Sequence, residues 1–272
     1  MTTDWFAARR LELDRLFDAR LSPPDDGDPG RLLEAMRYSL LAPGKRIRPL
    51  LALAAAETIA PIDDDVLLAC AAVELVHCYS LIHDDLPAMD DDDVRRGRPS
   101  NHKAFNEATA ILAGDALLTM AFEWIADAGE RAGRPQHFLA ATRALAQAAG
   151  AFGMVRGQAR DLGEPPPATL TSLETLHAEK TGALFRGALL IGGHAAGAPA
   201  DALLALSHFG TAYGIAFQHA DDIDDAEHAQ HAGAARERLA ALISDAIGAI
   251  APLGSRAIRL VELARALARP SA

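Results

Sequence analysis

Apolar residues recur at helical spacing along almost the whole chain, and turn residues interrupt them. The pattern predicts a first helix over 4–20, ended by Ser22-Pro23-Pro24-Asp25-Asp26-Gly27. A second covers 30–42 and stops at Pro43-Gly44. A third covers 46–60 and stops at Pro61. Asp63, Asp64 and Asp65 offer caps for a long fourth helix running through His83. Residues 86–103 hold Pro87, a run of charges, Gly97 and Pro99, and read as a polar loop. Helices are then expected over 104–130, 135–151 and 153–162. Gly163-Glu164-Pro165-Pro166-Pro167 breaks the pattern, and 170–197, 200–226, 231–250 and 255–268 complete it. No short repeat or interdomain linker interrupts this order, so residues 1–272 are expected to form one all-α domain, a helical bundle.

Composition agrees. Half of the 272 residues are hydrophobic but only 5% are aromatic, and runs rich in Val, Ile and Thr are nearly absent, which disfavours a large sheet. The net charge of −11 argues against general nucleic-acid binding. It leaves anionic substrates open, because metal ions and a local basic cluster can bridge an acidic protein to phosphate. Cys70 and Cys78, inside an apolar helical run, read as buried reduced thiols. The first residues lack a basic stretch followed by an apolar one. No apolar run of membrane-spanning length lacks a charge or proline. The expectation is a cytoplasmic protein without a membrane span.

Two acid clusters change the picture. Asp84-Asp85-Leu86-Pro87-Ala88-Met89-Asp90-Asp91-Asp92-Asp93 places six acids in ten residues, at the end of a long apolar helix. Their mutual repulsion is offset by a bound cation, and oxygen-only donors without a thiolate suit Mg²⁺. Asp91, Asp92 and Asp93 taken alone read as a solvated loop, whereas Asp84 and Asp85 read as metal ligands. The second cluster is Gln218-His219-Ala220-Asp221-Asp222-Ile223-Asp224-Asp225. Gly214, Gln218, Asp221 and Asp225 share one helix face. Alone, that cluster is also explained as a polar helix end. Two such clusters facing each other could hold a diphosphate through shared Mg²⁺ ions and activate it as a leaving group.

The basic residues are concentrated rather than scattered. Lys45 and Arg48 share a face at the start of the third helix, and Arg95-Arg96-Gly97-Arg98 follows the first acid cluster. Arginine forks match phosphate oxygens. Arg46 and Arg98 read instead as surface salt-bridge partners. The only lysines are Lys45, Lys103 and Lys180, the last in Ala178-Glu179-Lys180-Thr181-Gly182. His77, two turns before Asp84, is expected to point toward the carboxylates.

These segments resemble the trans-isoprenyl diphosphate synthases, the farnesyl and geranylgeranyl diphosphate synthase family. The matching stretches are 35–49, 74–105 and Ala110-Ile111-Leu112-Ala113-Gly114-Asp115, with Gly157-Gln158-Ala159, Lys180-Thr181-Gly182-Ala183-Leu184 and 217–225. The resemblance implies an isoprenoid-synthase bundle with a central cavity, usually a homodimer. It implies Mg²⁺ held by Asp84, Asp85 and Asp90 and by Asp221, Asp222 and Asp225. Arg95 and Lys180 would hold the allylic diphosphate, and Lys45, Arg48, His77 and Arg96 isopentenyl diphosphate. Thr181 and Gln218 would sit beside the reacting carbon. Tyr79, five residues before Asp84, would floor the prenyl pocket and favour a farnesyl product.

The chain also departs from the family pattern. Residues 226–233 carry no lysine where the family has a lysine-bearing loop, and no lysine follows Lys180. Arg156 stands where glycine is usual, and Asp224 replaces an apolar residue. The resemblance therefore implies a farnesyl diphosphate synthase with slowed turnover. A geranylgeranyl synthase, a terpene cyclase and a non-catalytic partner subunit remain as alternatives. Arg236 and Arg238 are candidates to replace the missing lysine, although both also read as surface charges.

Overall fold

A computed structural model describes residues 4–22, 27–163, 165, 167–224 and 232–268. Among these are thirteen α-helices: α1 Trp5–Arg20, α2 Leu32–Leu40, α3 Ile47–Ile59, α4 Asp64–Asp84, α5 Asn101–Ala104, α6 Glu107–Ala132 and α7 Pro135–Ala149; then α8 Met154–Gly163, α9 Leu170–His177, α10 Ala183–Ala195, α11 Ala200–Asp224, α12 Ala232–Ala249 and α13 Ile258–Ala266. The all-α expectation holds. Most boundaries fall where the caps and prolines put them. The Asp63 carboxylate accepts from Val66 N–H at 2.8 Å to open α4, and Asn106 does the same for Thr109 at 2.9 Å to open α6.

Local features depart from the sequence pattern, among them the short α5 at the end of the expected loop. The polar loop contains a hairpin pairing β1 (Val94–Arg95) with β2 (Arg98–Pro99), turned by Arg96 and Gly97 at φ 54° and 73°. Two consecutive left-handed residues suit the twist of a two-residue hairpin. The predicted helix 170–197 is interrupted by a π-helical turn, Ala178–Gly182, between α9 and α10. The last predicted helix begins late, after a 3₁₀ segment at Ala251–Ala257.

The central element is α4, apolar almost all round, which packs on α2, α3, α6, α7 and α10. The two faces of α3 serve different clusters. Leu50 and Leu53 join the core around α4, while Leu51, Ala54 and Ala55 join a second core with α10, α11, α12 and α13. Cys70 and Cys78 are both buried free thiols, as expected. By length and hydropathy alone Asp64–Asp84, Glu107–Ala132 and Pro135–Gly163 would suffice to cross a membrane. In the structure these stretches pack against one another, and their apolar windows are 78%, 39% and 44% buried inside the protein.

Arg46 corrects the expectation of a surface salt bridge. It is 4% exposed, adopts φ 52° ahead of α3, and donates to Asp14 and Glu74, each at 3.0 Å, and to the Leu40 and Ala42 carbonyls. Glu74, on α4, is 3% exposed. Together they hold the loop carrying Lys45 against α4. Arg98 differs again, lying 3.9 Å over the Tyr38 ring. Removing one partner of a buried pair strands the other charge. Arg46→Met should therefore cost about 3–5 kcal/mol of unfolding free energy, and Arg46→Met/Glu74→Leu should recover most of it. Urea denaturation of both variants checks this; a double variant no better than the single would refute the stranded-charge account.

Candidate active site

The end of α4, the hairpin, the π turn and the end of α11 converge on two adjoining cavities. One, of about 400 Å³, is lined by Tyr79, Asp84, Met89, Gln158 and Lys180. The other, of about 570 Å³, is lined by Lys45, Arg95, Arg96, Gln218 and Asp221. Arg48, His77 and Thr181 line both. Residues spread from 45 to 221 in the sequence are thus brought to one cleft. Asp85 and Asp222 are buried beside it, Asp90 is exposed at its rim, and Asp225 lies outside the described residues.

Close backbone approach makes this possible. A Cβ on Gly157 of α8 would lie 2.1 Å from the Lys180 nitrogen, and one on Gly214 of α11 would lie 2.4 Å from the Gly182 Cα. The π turn carrying Lys180 and Thr181 is therefore held between two helices at positions where only glycine fits. Thr181 Oγ1 donates to Gln218 Oε1 at 3.0 Å, and Gln218 Nε2 donates to Asp222 at 2.9 Å.

The electrostatics show like charges crowded in a poorly solvated place. Burial pushes the Asp84 carboxyl up to about 6; Asp90 and Asp85 push the same way, and Lys180 and Arg95 oppose. Burial lowers Arg48 to about 10, with Arg96 adding and Glu74, Tyr213 and Asp221 opposing. The Arg48 Nε is buried without a hydrogen-bond partner, and its guanidinium lies 4.5 Å over the Phe185 ring. Burial also holds His77 well below the usual imidazole range, helped by Arg48, Arg96, Arg46 and Arg95. His77 lines one cavity with Asp84 and the other with Asp221, as its helical spacing suggests, and the four arginines gather on the same space.

Several cations are engaged by the protein itself. Arg95 donates to Asp85 at 2.8 and 2.5 Å and to Asp92 at 2.9 Å. Lys180 pairs with Asp161 of α8 at 2.5 Å. Arg96 donates to the Pro43 carbonyl at 3.2 Å. Arg156, the residue standing where glycine is usual, pairs with Glu179 at 3.2 Å, and Arg160 joins it at 2.9 Å. Arg238 donates to Glu174 at 2.8 Å, and Arg236 borders a separate groove with Asp224 and Leu239. Neither lines the two cavities.

Asp84 and Asp90 fit a hard cation, whereas Asp85 and Asp222, expected as ligands of the same ion, are turned instead to Arg95 and to Gln218 and His177. The donors of Asp84 and Asp90 are all oxygen, and mutual repulsion contributes to the raised Asp84 carboxyl. Gln158 is a site residue that charge and spacing did not reveal. Both of its amide atoms are buried without a partner, and it lines the cavity with Asp84. Its signal was its place in the matched Gly157-Gln158 pair, to which no chemistry had been attached.

Residues 29–233 match the polyprenyl synthetase family. A farnesyl diphosphate synthase of Geobacillus stearothermophilus is 47% identical over 203 residues, 74% of this chain and 68% of that protein. Geranylgeranyl pyrophosphate synthase 12 of Arabidopsis thaliana is 44% identical over 75% of this chain, which spans only 57% of that protein. Among solved structures, an apo FPP/GFPP synthase of Zymomonas mobilis superposes with a TM-score of 0.89 at 39% identity, covering 97% of each chain.

The raised Asp84 carboxyl carries a stability consequence. Ionisation of Asp84 disfavours the ligand-free fold, and that cost is complete above pH 6. Near pH ~4, at the ordinary carboxyl value, the group is protonated in the fold and about half ionised in the unfolded chain, so most of the cost is gone. Asp84→Asn should therefore stabilise the ligand-free protein by about 1–3 kcal/mol at pH ~7.5, with the gain shrinking below about 1 kcal/mol near pH ~4. Denaturant unfolding at the two pH values measures it; an equal or lower stability at the higher pH would overturn the desolvation account.

Proposed function

The chain belongs to the polyprenyl synthetase family, and on that premise we propose that residues 1–272 form one domain of a short-chain prenyltransferase. It would join isopentenyl diphosphate to dimethylallyl or geranyl diphosphate and deliver farnesyl diphosphate. One observation carries this reading: two anion-competent cavities adjoin and share Arg48, His77 and Thr181. Such a pair of sites suits two diphosphates whose organic ends must meet.

In this reading Lys180 and Arg95 hold the allylic diphosphate. Lys45, Arg48 and Arg96 hold isopentenyl diphosphate, with neutral His77 as a hydrogen-bonding partner. Arg48 enters with an unpaired buried donor, so an incoming oxyanion satisfies it. Asp85 orients Arg95 through their ion pair. Asp84, Asp90 and Asp221 would hold Mg²⁺, which when bound polarises the diphosphate as a leaving group. Thr181 and Gln218, fixed by their mutual hydrogen bond, face the developing allylic cation. Met89, Met154 and Leu162 wall the prenyl chain from water, which would quench that cation. The departing diphosphate takes the proton, so no protein base is required.

The exposed apolar residues Ile111 and Leu112 on α6 support a homodimer, and the acidic surface accords with a cytoplasmic enzyme that does not bind nucleic acid. The lysine-free segment after Asp224 lies mostly outside the described residues. The positions of Arg236 and Arg238 favour surface roles for both. With two cations in place of three on the allylic diphosphate, binding should weaken by roughly 1.5–3 kcal/mol, and turnover should be slow.

Incubation with Mg²⁺, isopentenyl diphosphate and geranyl diphosphate should yield farnesyl diphosphate. Asp84→Ala or Asp221→Ala should lower the rate roughly a hundredfold or more with the fold retained. A chain inert toward both allylic donors would instead be a non-catalytic partner subunit. Tyr79 is 7% exposed, lines the cavity and packs edge-on against His83 at 5.6 Å. Tyr79→Ala should open that floor and lengthen the product by at least one isoprene unit. Chromatography of the dephosphorylated products decides it, and an unchanged distribution removes Tyr79 from the role.

A further inference from the structure

The hydrogen-bond chain from Thr181 through Gln218 does not end at Asp222. The Asp222 carboxylate also meets His177 Nε2 at 3.2 Å, and the His177 ring packs edge-on against His219 at 5.2 Å. We propose that His177, His219 and Asp222 form a binding site for a divalent transition-metal ion of the zinc class, in which Asp222, expected as a magnesium ligand, serves a different ion. The site stands whether or not the catalytic assignment above is right.

Three observations carry it. First, one nitrogen from each imidazole and one Asp222 oxygen lie within 4.8 Å of one another. Ligand atoms about 2.0–2.1 Å from a tetrahedral ion lie roughly 3.3 Å apart, so the 3.2 Å His177–Asp222 separation already has the span of one edge of such a polyhedron. Second, the three side chains are at most 5% exposed, so bulk water does not compete for them. Third, His219 pairs through Nε2 with Glu174 at 3.3 Å, while its Nδ1 is buried with no hydrogen-bond partner. Glu174 is fixed by Arg238 at 2.8 Å. A carboxylate on Nε2 places the proton there and leaves the Nδ1 lone pair for an ion, the arrangement by which outer carboxylates orient metal-binding histidines.

The donor set selects the ion. Two imidazoles and one carboxylate suit Zn²⁺, Co²⁺ or Ni²⁺, whereas Mg²⁺ takes oxygen donors and keeps its waters. Three protein ligands leave a fourth position for water. The ion would clamp the end of α9 to the end of α11. It would hold Asp222, and through it Gln218, without touching the reacting carbon. Its role is structural.

Titrating chelator-treated protein with Co²⁺ in excess Mg²⁺ tests the assignment. The expected result is about one equivalent of tightly held ion, with the visible absorption of a low-coordinate site and displacement by Zn²⁺. Zn²⁺ should raise Tm in the same buffer. Asp84→Asn should retain the absorption, His219→Leu should lose it, and Glu174→Gln should weaken binding about ten- to a hundredfold. Should His219→Leu fail to fold, anomalous scattering from zinc-soaked wild-type crystals reports directly. A peak among His177, His219 and Asp222 supports the site. Overturning results are absence of bound cobalt, absorption that survives in folded His219→Leu, or a zinc peak found only beside Asp84 and Asp221.

Discussion

Everything in the cleft depends on holding like charges together where water solvates them poorly. Asp84 is driven toward its neutral form by burial and by its acidic neighbours, and Arg48 is driven toward neutrality by burial and Arg96. Both effects weaken the ligand-free protein, and both reverse when a charge of opposite sign arrives. A cation would relieve the carboxylates and an oxyanion would relieve the guanidinium. On the proposed function the cleft is arranged for its ligands before they bind, which is where electrostatic preorganisation gains over water. Its cost is carried by the rest of the bundle, chiefly the largely apolar packing of α4.

The backbone around the cleft is correspondingly unusual. Four non-glycine residues among those described adopt positive φ, and three of them, Arg46, Asp91 and Arg96, flank the charged cleft. Such conformations persist only where surrounding contacts over-determine them. Arg46 is fixed by four hydrogen-bond acceptors, and Arg96 by the hairpin and the Pro43 carbonyl. The π turn follows the same logic. Widening one helical turn advances Lys180 and Thr181 toward the cleft while the α9–α10 axis continues, and Gly157 and Gly214 leave room for it.

The helix order and the charged motifs were legible because they depend on local periodicity and on residue identity. Asp63 and Pro61 mark a boundary that needs no tertiary contact to read. The π turn was not legible, because the apolar pattern across Ala178–Gly182 continues and the widening is set by neighbours in space. The hairpin escaped because two-residue strands have no alternation to detect. Arg46 was misread for a related reason. Its type favours the surface, and only the distant Asp14 and Glu74 make its burial tolerable. His77 was placed on the correct side of α4, but the arginines that surround it come from other elements.

Adjacent acids on a helix illustrate how far a motif can be read before geometry takes over. Consecutive side chains leave a helix about 100° apart, so two neighbouring aspartates cannot face the same point equally. The structure divides them. Asp221 is exposed and lines the cleft, whereas Asp222 is 4% exposed and turns to Gln218 and His177. Through Gln218 the buried member also reaches Thr181 on the π turn, so it orients two polar residues that line the cleft. Asp84 and Asp85 divide in the same sense: Asp84 lines the cavity, and Asp85 holds Arg95 from a buried position. In each doublet one acid lines a cavity of the cleft. The buried acid spends its charge on a neighbouring side chain, and that neighbour presents the hydrogen-bond donors the substrate would meet.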